Sequence, residues 1–467
     1  MNRPERLPDR SPDRSSDRSG DIRFPLSLGG DAGSAGSHSF ARYAPDGLIR
    51  RSLEPGFSEP CLTFQVGRSK NFILLDADLI RHCFAVNADR YRYSPVRQRI
   101  LKPVFGEGLL AAEGSEWRRS RKAVAGAFSA DNLHAYTRVM ERTCRDSLAV
   151  LGETGGDIAL GPELSRTTFR ILSETLFSGE LSDSEDALLA AVSRIMASYD
   201  GDERVTIDVA PFWMPRASRI ANSRAIGECR AILRAIIDAR LGRAEAGSDI
   251  LGRLIACGRA EYSGDALARF VEDNIMSFLI PGHETSAIAA AWTLYLLSQA
   301  DAWRERARGE VLELAGAADR IAGANVLRAC VEESMRLFPP LPLIARYAVA
   351  DDRWRDVEIT AGATVMIATG LLHRQHRYHC EPDRFDPGRF LRGREGISPF
   401  AFIPFGAGPK TCIGATFALR EAVTVVSEFL RRFDFAYLAA EPPMARMQVV
   451  TRPDNNIPMR LTPLGDR

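Results

Sequence analysis

Apolar residues recur at three- and four-residue intervals along most of the chain. This periodicity predicts helices at Trp117–Phe128, Ser184–Tyr199, Arg216–Arg243, Gly264–Gln299, Ala302–Ala315, Ala324–Phe338 and Gly414–Arg432. Short apolar or alternating runs predict strands at Cys61–Val66, Asn71–Leu75, Ile344–Val349, Val357–Ile367, Gln448–Thr451 and Ile457–Leu461. Between Arg374 and Gly408 lies a Pro-, Gly-, Arg- and Phe-rich stretch with no period; a structureless segment of that length is normally functional or firmly packed. No internal repeat or inter-domain linker is visible. The pattern predicts a mainly α fold with small β-sheets in a single large domain spanning 41–467. Residues 1–40 are expected to be a disordered tail, because Asp, Arg, Ser, Pro and Gly leave too little apolar surface to fold.

The most apolar stretch, Ile275–Leu297, invites a membrane reading. Gly282-His283-Glu284-Thr285 interrupts it, and a central Glu is costly in lipid, so it reads as a buried helix. The N-terminus carries no continuous apolar segment, so neither a signal peptide nor a membrane anchor is expected. The 467 residues are 45% hydrophobic and 26% charged, ample for a large core. A net charge of +1 gives no global pull toward nucleic acid. The 8 cysteines lack paired spacings, which predicts a reducing, cytoplasmic setting rather than a disulfide framework.

One cysteine stands apart. Cys412 closes the loop Phe405-Gly406-Ala407-Gly408-Pro409-Lys410-Thr411-Cys412-Ile413-Gly414, which runs into an apolar helix. Helix-terminal N–H groups favour a thiolate, and the glycines let backbone approach something flat and bulky. Together they suggest a thiolate facing haem iron. A phosphate loop is excluded, because Pro409 stands where that motif needs glycine and removes an N–H. The other cysteines read as small buried hydrophobes.

Within the long helix, Ile280-Pro281-Gly282-His283-Glu284-Thr285-Ser286 combines a proline with a polar pair and predicts a local opening. Glu284 and Thr285 suit a proton relay, or a kink whose polar groups satisfy freed carbonyls. Glu333 and Arg336 lie three apart on one helical face, and Arg389 follows in a rigid Pro-rich turn; a carboxylate shared by two arginines would lock distant segments together. Arg118, Arg119, Arg121 and Lys122 cluster around Trp117, either as a solvated helix face or as a docking patch for an acidic partner. His373, His376, His379 and Cys380 have spacing that invites a metal, but a zinc site is not expected there.

Trp117-xxx-Arg121, Pro281-Gly282-His283-Glu284-Thr285, Glu333-xx-Arg336, Pro382-xx-Phe385-x-Pro387-x-Arg389-Phe390 and the Phe405–Gly414 loop share the order and approximate spacing of the cytochrome P450 family. From about residue 40 to the end, the chain resembles that family. The resemblance implies a haem-thiolate monooxygenase, with haem b held between the long kinked helix and the cysteine loop. Cys412 would be the proximal ligand of iron, and Glu284 with Thr285 the acid–alcohol pair delivering protons. Trp117, Arg121, Arg346 and Lys410 would bind haem propionates, with Phe405 opening the ligand loop. Glu333, Arg336 and Arg389 would form a structural lock behind the haem. Asp89–Leu110, Trp213-Met214-Pro215, Pro342–Ala345 and Val450–Thr451 resemble substrate-lining segments.

The resemblance further implies a lipophilic organic substrate and a ferredoxin- or flavodoxin-type electron donor with its reductase. Two positions depart from the pattern. Lys410 replaces the usual arginine or histidine, exchanging a bidentate contact for a point charge. Pro281 replaces a small residue before the glycine. A peroxide-driven or isomerising haem-thiolate enzyme, or a non-enzymatic haem protein, stands as the alternative; Glu284-Thr285 argues against both.

Overall fold

Residues 264–299 form one helix that is buried nearly all round from Asn274 onward, as expected of a helix apolar on every face. The computed structural model describes residues 23, 24, 26, 46–66, 69–152, 155–200, 217–243, 245–392 and 398–465. In chain order its longer helices are α1 (Pro95–Phe105), α2 (Gly114–Ala125), α3 (Ala130–Gly152), α4 (Leu160–Phe177), α5 (Glu185–Asp200) and α6 (Ala217–Leu241). They continue with α7 (Ile250–Gly258), the central α8 (Gly264–Gln299), α9 (Asp301–Glu313), α10 (Asn325–Leu337) and α11 (Ala415–Arg432). Helices α3, α4, α6 and α11 pack against or near α8 and share its core.

The expected opening of α8 at Pro281 does not occur: the helix continues through it. Proline removes one hydrogen bond there, but α4 is pressed against the weak point. A Cβ on Gly282 would come within 3.0 Å of Leu172, and Thr168 Oγ1 donates to the His283 carbonyl at 2.8 Å. Tertiary packing overrides the local preference to open.

The strands of the described residues make four small sheets. Besides a two-stranded ribbon of Asp352–Trp354 and Val357–Ile359, they are β1 (Cys61–Val66), β2 (Ser69–Leu74), β3 (Tyr91–Arg92), β4 (Gly156–Ala159), β5 (Leu343–Ala348), β6 (Thr364–Ala368), β7 (Phe433–Tyr437), β8 (Ala445–Met447), β9 (Thr451–Pro453) and β10 (Pro458–Pro463). The largest sheet has the order β1-β2-β6-β5-β3, with β2 and β6 parallel and Arg346 of β5 opposite Val365. Its two faces bury separate apolar clusters. Three expectations shift. Val357–Ile367 is split at Gly362 (φ +91°), so only its second half joins this sheet as β6. Gln448–Thr451 is mostly the turn joining β8 to β9. Phe24, within the expected tail, is only 8% exposed; the rest of the 1–40 segment apart from Arg23 and Leu26 lies outside the described residues.

Two polar arrangements fix the elements around the site. Glu310 of α9 accepts the N–H groups of Val326 and Leu327 at 2.9 and 3.0 Å, capping the start of α10 from a neighbouring helix. Asp273, Asn274 and Ser277 of α8 accept from the N–H groups of Glu107, Leu109 and Leu110 at 3.0, 3.2 and 3.4 Å. Arg230 of α6 joins them, bonding Asp273 at 2.9 Å and the Val104 carbonyl at 3.1 Å. The segment after α1 is therefore sewn to α8.

Glu421 of α11 is enclosed against α8, and its Oε1 has no hydrogen-bond partner among the described residues. Burial pushes its carboxyl up to about 8 from 4.5, against a smaller opposing effect of the Ser286 hydroxyl. The folded chain then holds this proton at pH values where the unfolded chain has released it. Stability should fall as pH rises from 4.5 toward 8 and level off above. Glu421→Gln is expected to remove this contribution, about 1.4 kcal/mol per pH unit inside the window. Urea unfolding of both proteins across that range checks it; parallel curves would refute it.

Candidate active site

The cysteine loop is held from three directions. Gly408 (φ +71°) passes so close to the segment His82–Val86 that a Cβ would lie 1.7 Å from the Phe84 carbonyl oxygen. Arg121 of α2 donates to the Thr411 carbonyl at 2.8 Å. Lys410 Nζ reaches the Ala112 carbonyl at 3.0 Å and Glu113 Oε1 at 2.8 Å, at the entrance to α2. Within the loop, the Cys412 N–H donates to the Phe405 carbonyl at 2.9 Å and Thr411 N–H to Gly408 at 3.0 Å.

Cys412 is exposed as a residue, yet protein crowds the thiol enough that desolvation is the largest influence on it. Burial pushes the thiol up; the Gly414 N–H and the Arg121 charge pull the other way, as the helix-start argument expects, but are outweighed. Cys412 also precedes α11 by three residues, with Gly414 as the N-cap. The loop thus offers donors to a thiolate without creating one unaided, and deprotonation falls to whatever the sulfur binds.

Beside the loop, three cations surround Tyr93. Arg97, Arg346 and Lys410 lie 4.4, 4.6 and 4.2 Å from its ring centroid. Burial pushes the Tyr93 phenol up, but these charges together bring it below its ordinary value. Burial is also the main reason the Arg97 guanidinium is lowered, followed by Tyr93, which raises it, and by the Arg346 charge. Arg346 is 8% exposed and donates to its neighbour's carbonyl, Ala345, at 2.8 Å. Among the main influences on Tyr93, the Glu113 carboxylate is outweighed by the three cations. Trp117 completes the group, with Lys410 Nζ 5.4 Å from its ring. A buried surplus of cations calls for anions. Tyr93 and Arg97 fall within Asp89–Leu110, expected as a substrate-lining segment, but the sequence singled out neither as part of a cation cluster, because Arg346 and Lys410 complete that cluster from far along the chain.

On α8, Thr285 Oγ1 donates to the Pro281 carbonyl at 3.0 Å, and Glu284 is ion-paired through Oε1 with Arg452 of β9. Glu284 Oε2 is buried and makes no hydrogen bond among the described residues. Arg452 also donates to Gln448 Oε1 at 3.1 Å. Sequence reading missed Arg452 as well, for its partner lies 168 positions away. Val450 and Thr451 are buried, and Thr451 is pinned: its carbonyl accepts from Trp292 Nε1 at 3.2 Å and its hydroxyl donates to Pro339 at 2.6 Å. Leu343 and Ala345 pack on the sheet core. Trp213-Met214-Pro215 lies outside the described residues.

Behind the loop, Glu333 and Arg336 of α10 are both 0% exposed and bidentate at 2.7 and 2.9 Å. Arg389 Nε adds a contact to Glu333 at 3.3 Å, and the Asp386 N–H another at 2.9 Å. Among the candidate metal ligands of that region, His373 Nε2 accepts the Ile403 N–H at 3.0 Å. Among the described residues no three His, Cys, Asp or Glu converge on a metal position.

An exposed cysteine in a tightly held loop, a group of cations beside it and a long helix carrying an acid and an alcohol fit a haem-thiolate oxygenase. The comparisons with known proteins agree. The cytochrome P450 family profile matches residues 55–459, so the chain belongs to the cytochrome P450 family. It is 28% identical over 387 residues to an Arabidopsis thaliana cytokinin hydroxylase, covering 79% of this chain and 74% of that one. It is 29% identical over 362 residues to a putative cytochrome P450 132 of Mycobacterium bovis, covering 73% and 76%. Among solved structures, a retinoic acid bound cyanobacterial CYP120A1 matches with a TM-score of 0.75 and 25% identity, over 87% of this chain and 92% of that one. The P450DA heme domain matches with a TM-score of 0.78 at 22% identity, a likeness of fold. The protein is therefore a cytochrome P450 monooxygenase whose cofactor is haem.

Gly408→Ala is expected to destabilise the folded protein by more than about 2 kcal/mol, because backbone, not a flexible side chain, meets the added methyl. Thermal unfolding checks this, and an unchanged melting temperature would refute the close approach.

Proposed function

We propose that Cys412 ligates the iron of haem b, and that the enzyme hydroxylates a lipophilic organic molecule using electrons from a separate donor. The observation that carries this reading is the cation surplus around Tyr93 beside an accessible Cys412: Arg97, Arg346 and Lys410 suit the two propionates, and the sulfur suits the metal. Lys410 is already paired with Glu113, so in this chain the arginines take the larger share. Trp117 flanks them, Phe405 accepts the ligand's N–H, and Arg121 holds the ligand loop through Thr411. Haem, when bound, supplies the activation of O2 and the transfer of one oxygen atom. Thr285, whose hydroxyl proton is held by the Pro281 carbonyl, presents its oxygen as an acceptor, and Glu284 Oε2 is the carboxylate oxygen open to take a proton while Arg452 holds the other.

The segment after α1, sewn to α8, and the Val450–Thr451 turn bound the substrate side. The relatives' names, one a cytokinin hydroxylase and one solved with retinoic acid, agree with small organic substrates. No helix among the described residues is long and apolar enough to cross a membrane, consistent with a cytoplasmic enzyme served by a ferredoxin- or flavodoxin-type donor and its reductase. Arg118 and Lys122 are exposed on α2 without an ion-pair partner among the described residues, whereas Arg119 pairs with Glu116 and Glu261 and Arg121 turns inward. They suit an acidic donor surface.

The reduced protein with carbon monoxide is expected to show the red-shifted Soret band of thiolate ligation, and Cys412→Ser to lose it; retention of the band in that variant would remove Cys412 as the ligand. Arg118→Glu with Lys122→Glu is expected to slow donor-driven reduction about tenfold at low salt. Stopped-flow reduction measures it, and an unchanged rate would move the docking surface elsewhere.

A further inference from the structure

The tail expected to be disordered contributes a packed piece to the far side of the Glu333–Arg336 pair. Phe24 sits edge-on to Tyr295 (5.9 Å, 74°) and Phe338 (6.1 Å, 73°), and Phe338 in turn stacks on Trp292 at 3.8 Å. Its backbone is bonded on both sides: Phe24 N–H donates to the Asp383 carbonyl at 2.8 Å, and Arg374 Nη2 donates to the Phe24 carbonyl at 3.1 Å. Arg23 bridges to Arg384 and pairs with Glu381 at 3.4 Å. Leu26 packs on a different core, that of the sheet, with Cδ1 3.3 Å from where a Cβ on Gly370 would lie.

Arg374 explains why this matters. It is 1% exposed, and it also donates to Leu337 at 2.8 Å and to Asp383 Oδ1 at 3.0 Å. Burial first, and the Arg336 charge second, bring its guanidinium down to about 10. A buried cation needs each acceptor it has, and one of them is the Phe24 carbonyl. The turn at 381–384 is gripped from inside as well, since Arg336 donates to the carbonyls of Pro382 at 2.6 Å and Arg384 at 3.1 Å.

We propose that Arg23, Phe24 and Leu26 form a strap that occupies an aromatic groove behind the Glu333–Arg336 pair, joins the helical core to the sheet, and holds the 373–384 segment against its inner partners. The occupant of the groove is this chain's own N-terminal segment. The strap is independent of what the enzyme oxidises. With it seated, the peptide bond after Arg384, whose side chain is 50% exposed, is shielded by its bridge to Arg23.

Trypsin nicking of the haem-loaded protein tests this. In a chain lacking residues 1–28, and in full-length Phe24→Ala, cleavage after Arg384 is expected to accelerate about tenfold. A chain lacking residues 1–20 should match full length. Cleavage after Arg269, exposed on α8, should be unchanged in all, separating local release from global unfolding. A synthetic peptide of residues 20–30 carrying Arg23→Gln, so that trypsin cannot cut it and an exposed ion pair is given up, added to the shortened chain should bind and restore slow nicking; the same peptide with Phe24→Ala as well should not. If the chain lacking 1–28 does not fold while that lacking 1–20 does, the strap is required, and Phe24→Ala still reports on it. Equal nicking after Arg384 in Phe24→Ala and full length, or a peptide without effect on a folded shortened chain, would overturn the proposal.

Discussion

The arrangement of this molecule depends on one buried ion pair, Glu333–Arg336. Neither side chain is exposed, so both were taken from water at a cost that the pair's own attraction does not obviously recover. What the pair does is organise chain that has no other reason to hold its shape. Arg336 satisfies the carbonyls of His373, Pro382 and Arg384, while Glu333 accepts from the Asp386 N–H and from Arg389. Four of those groups belong to the aperiodic segment leading to the cysteine loop. Removing either partner would strand the other charge in the core, a loss of about 3–5 kcal/mol.

Electrostatics divides the site into unlike halves. On the rim, three cations crowd one tyrosine and outweigh the Glu113 carboxylate that opposes them. On the helix side, Glu284 has its counter-charge, Arg452, delivered from the far end of the chain. Between α8 and α11 lies Glu421, which burial keeps protonated to about 8. The acids near the middle of the molecule are thus paired or neutral, while the rim is left positive. Such a distribution suits a bound dianion at the rim and an apolar reactant under the helix.

Much of this was legible in the sequence where local pattern and tertiary outcome coincide. The span Gly264–Gln299 was read to the residue because its apolar positions recur at helical spacing from Leu267 and cover nearly every face from Asn274 onward. Helices α3 and α4 were not assigned, although Leu133, Tyr136, Met140, Cys144 and Leu148 line the buried side of α3 at helical spacing; interspersed Thr and Arg blurred the signal. The reading of Pro281 failed for a different reason: local chemistry favours an opening, and α4 forbids it. Cys412, Glu333 and Arg336 were identifiable because their spacing is short-range. Arg97, Arg452 and Phe24 were not, since each takes its meaning from a partner far along the chain.

The geometry at Cys412 follows from how many independent elements converge on so short a loop. If the loop were positioned by α11 alone, the sulfur would swing with the first turn of that helix. Instead the Thr411 carbonyl is tied to α2 by Arg121, Lys410 is tied to the entrance of α2, and Gly408 abuts the Phe84 backbone on the sheet side. The Phe405 carbonyl, at the end of the segment that Arg336 organises, accepts the Cys412 N–H. The helical part, the sheet part and the locked aperiodic segment therefore each set one coordinate of the sulfur. That is why Gly408 tolerates no side chain, and why a weak thiolate-forming tendency suffices here: the fold's contribution is a fixed position with donors in place, and the charge on sulfur is completed by what it binds.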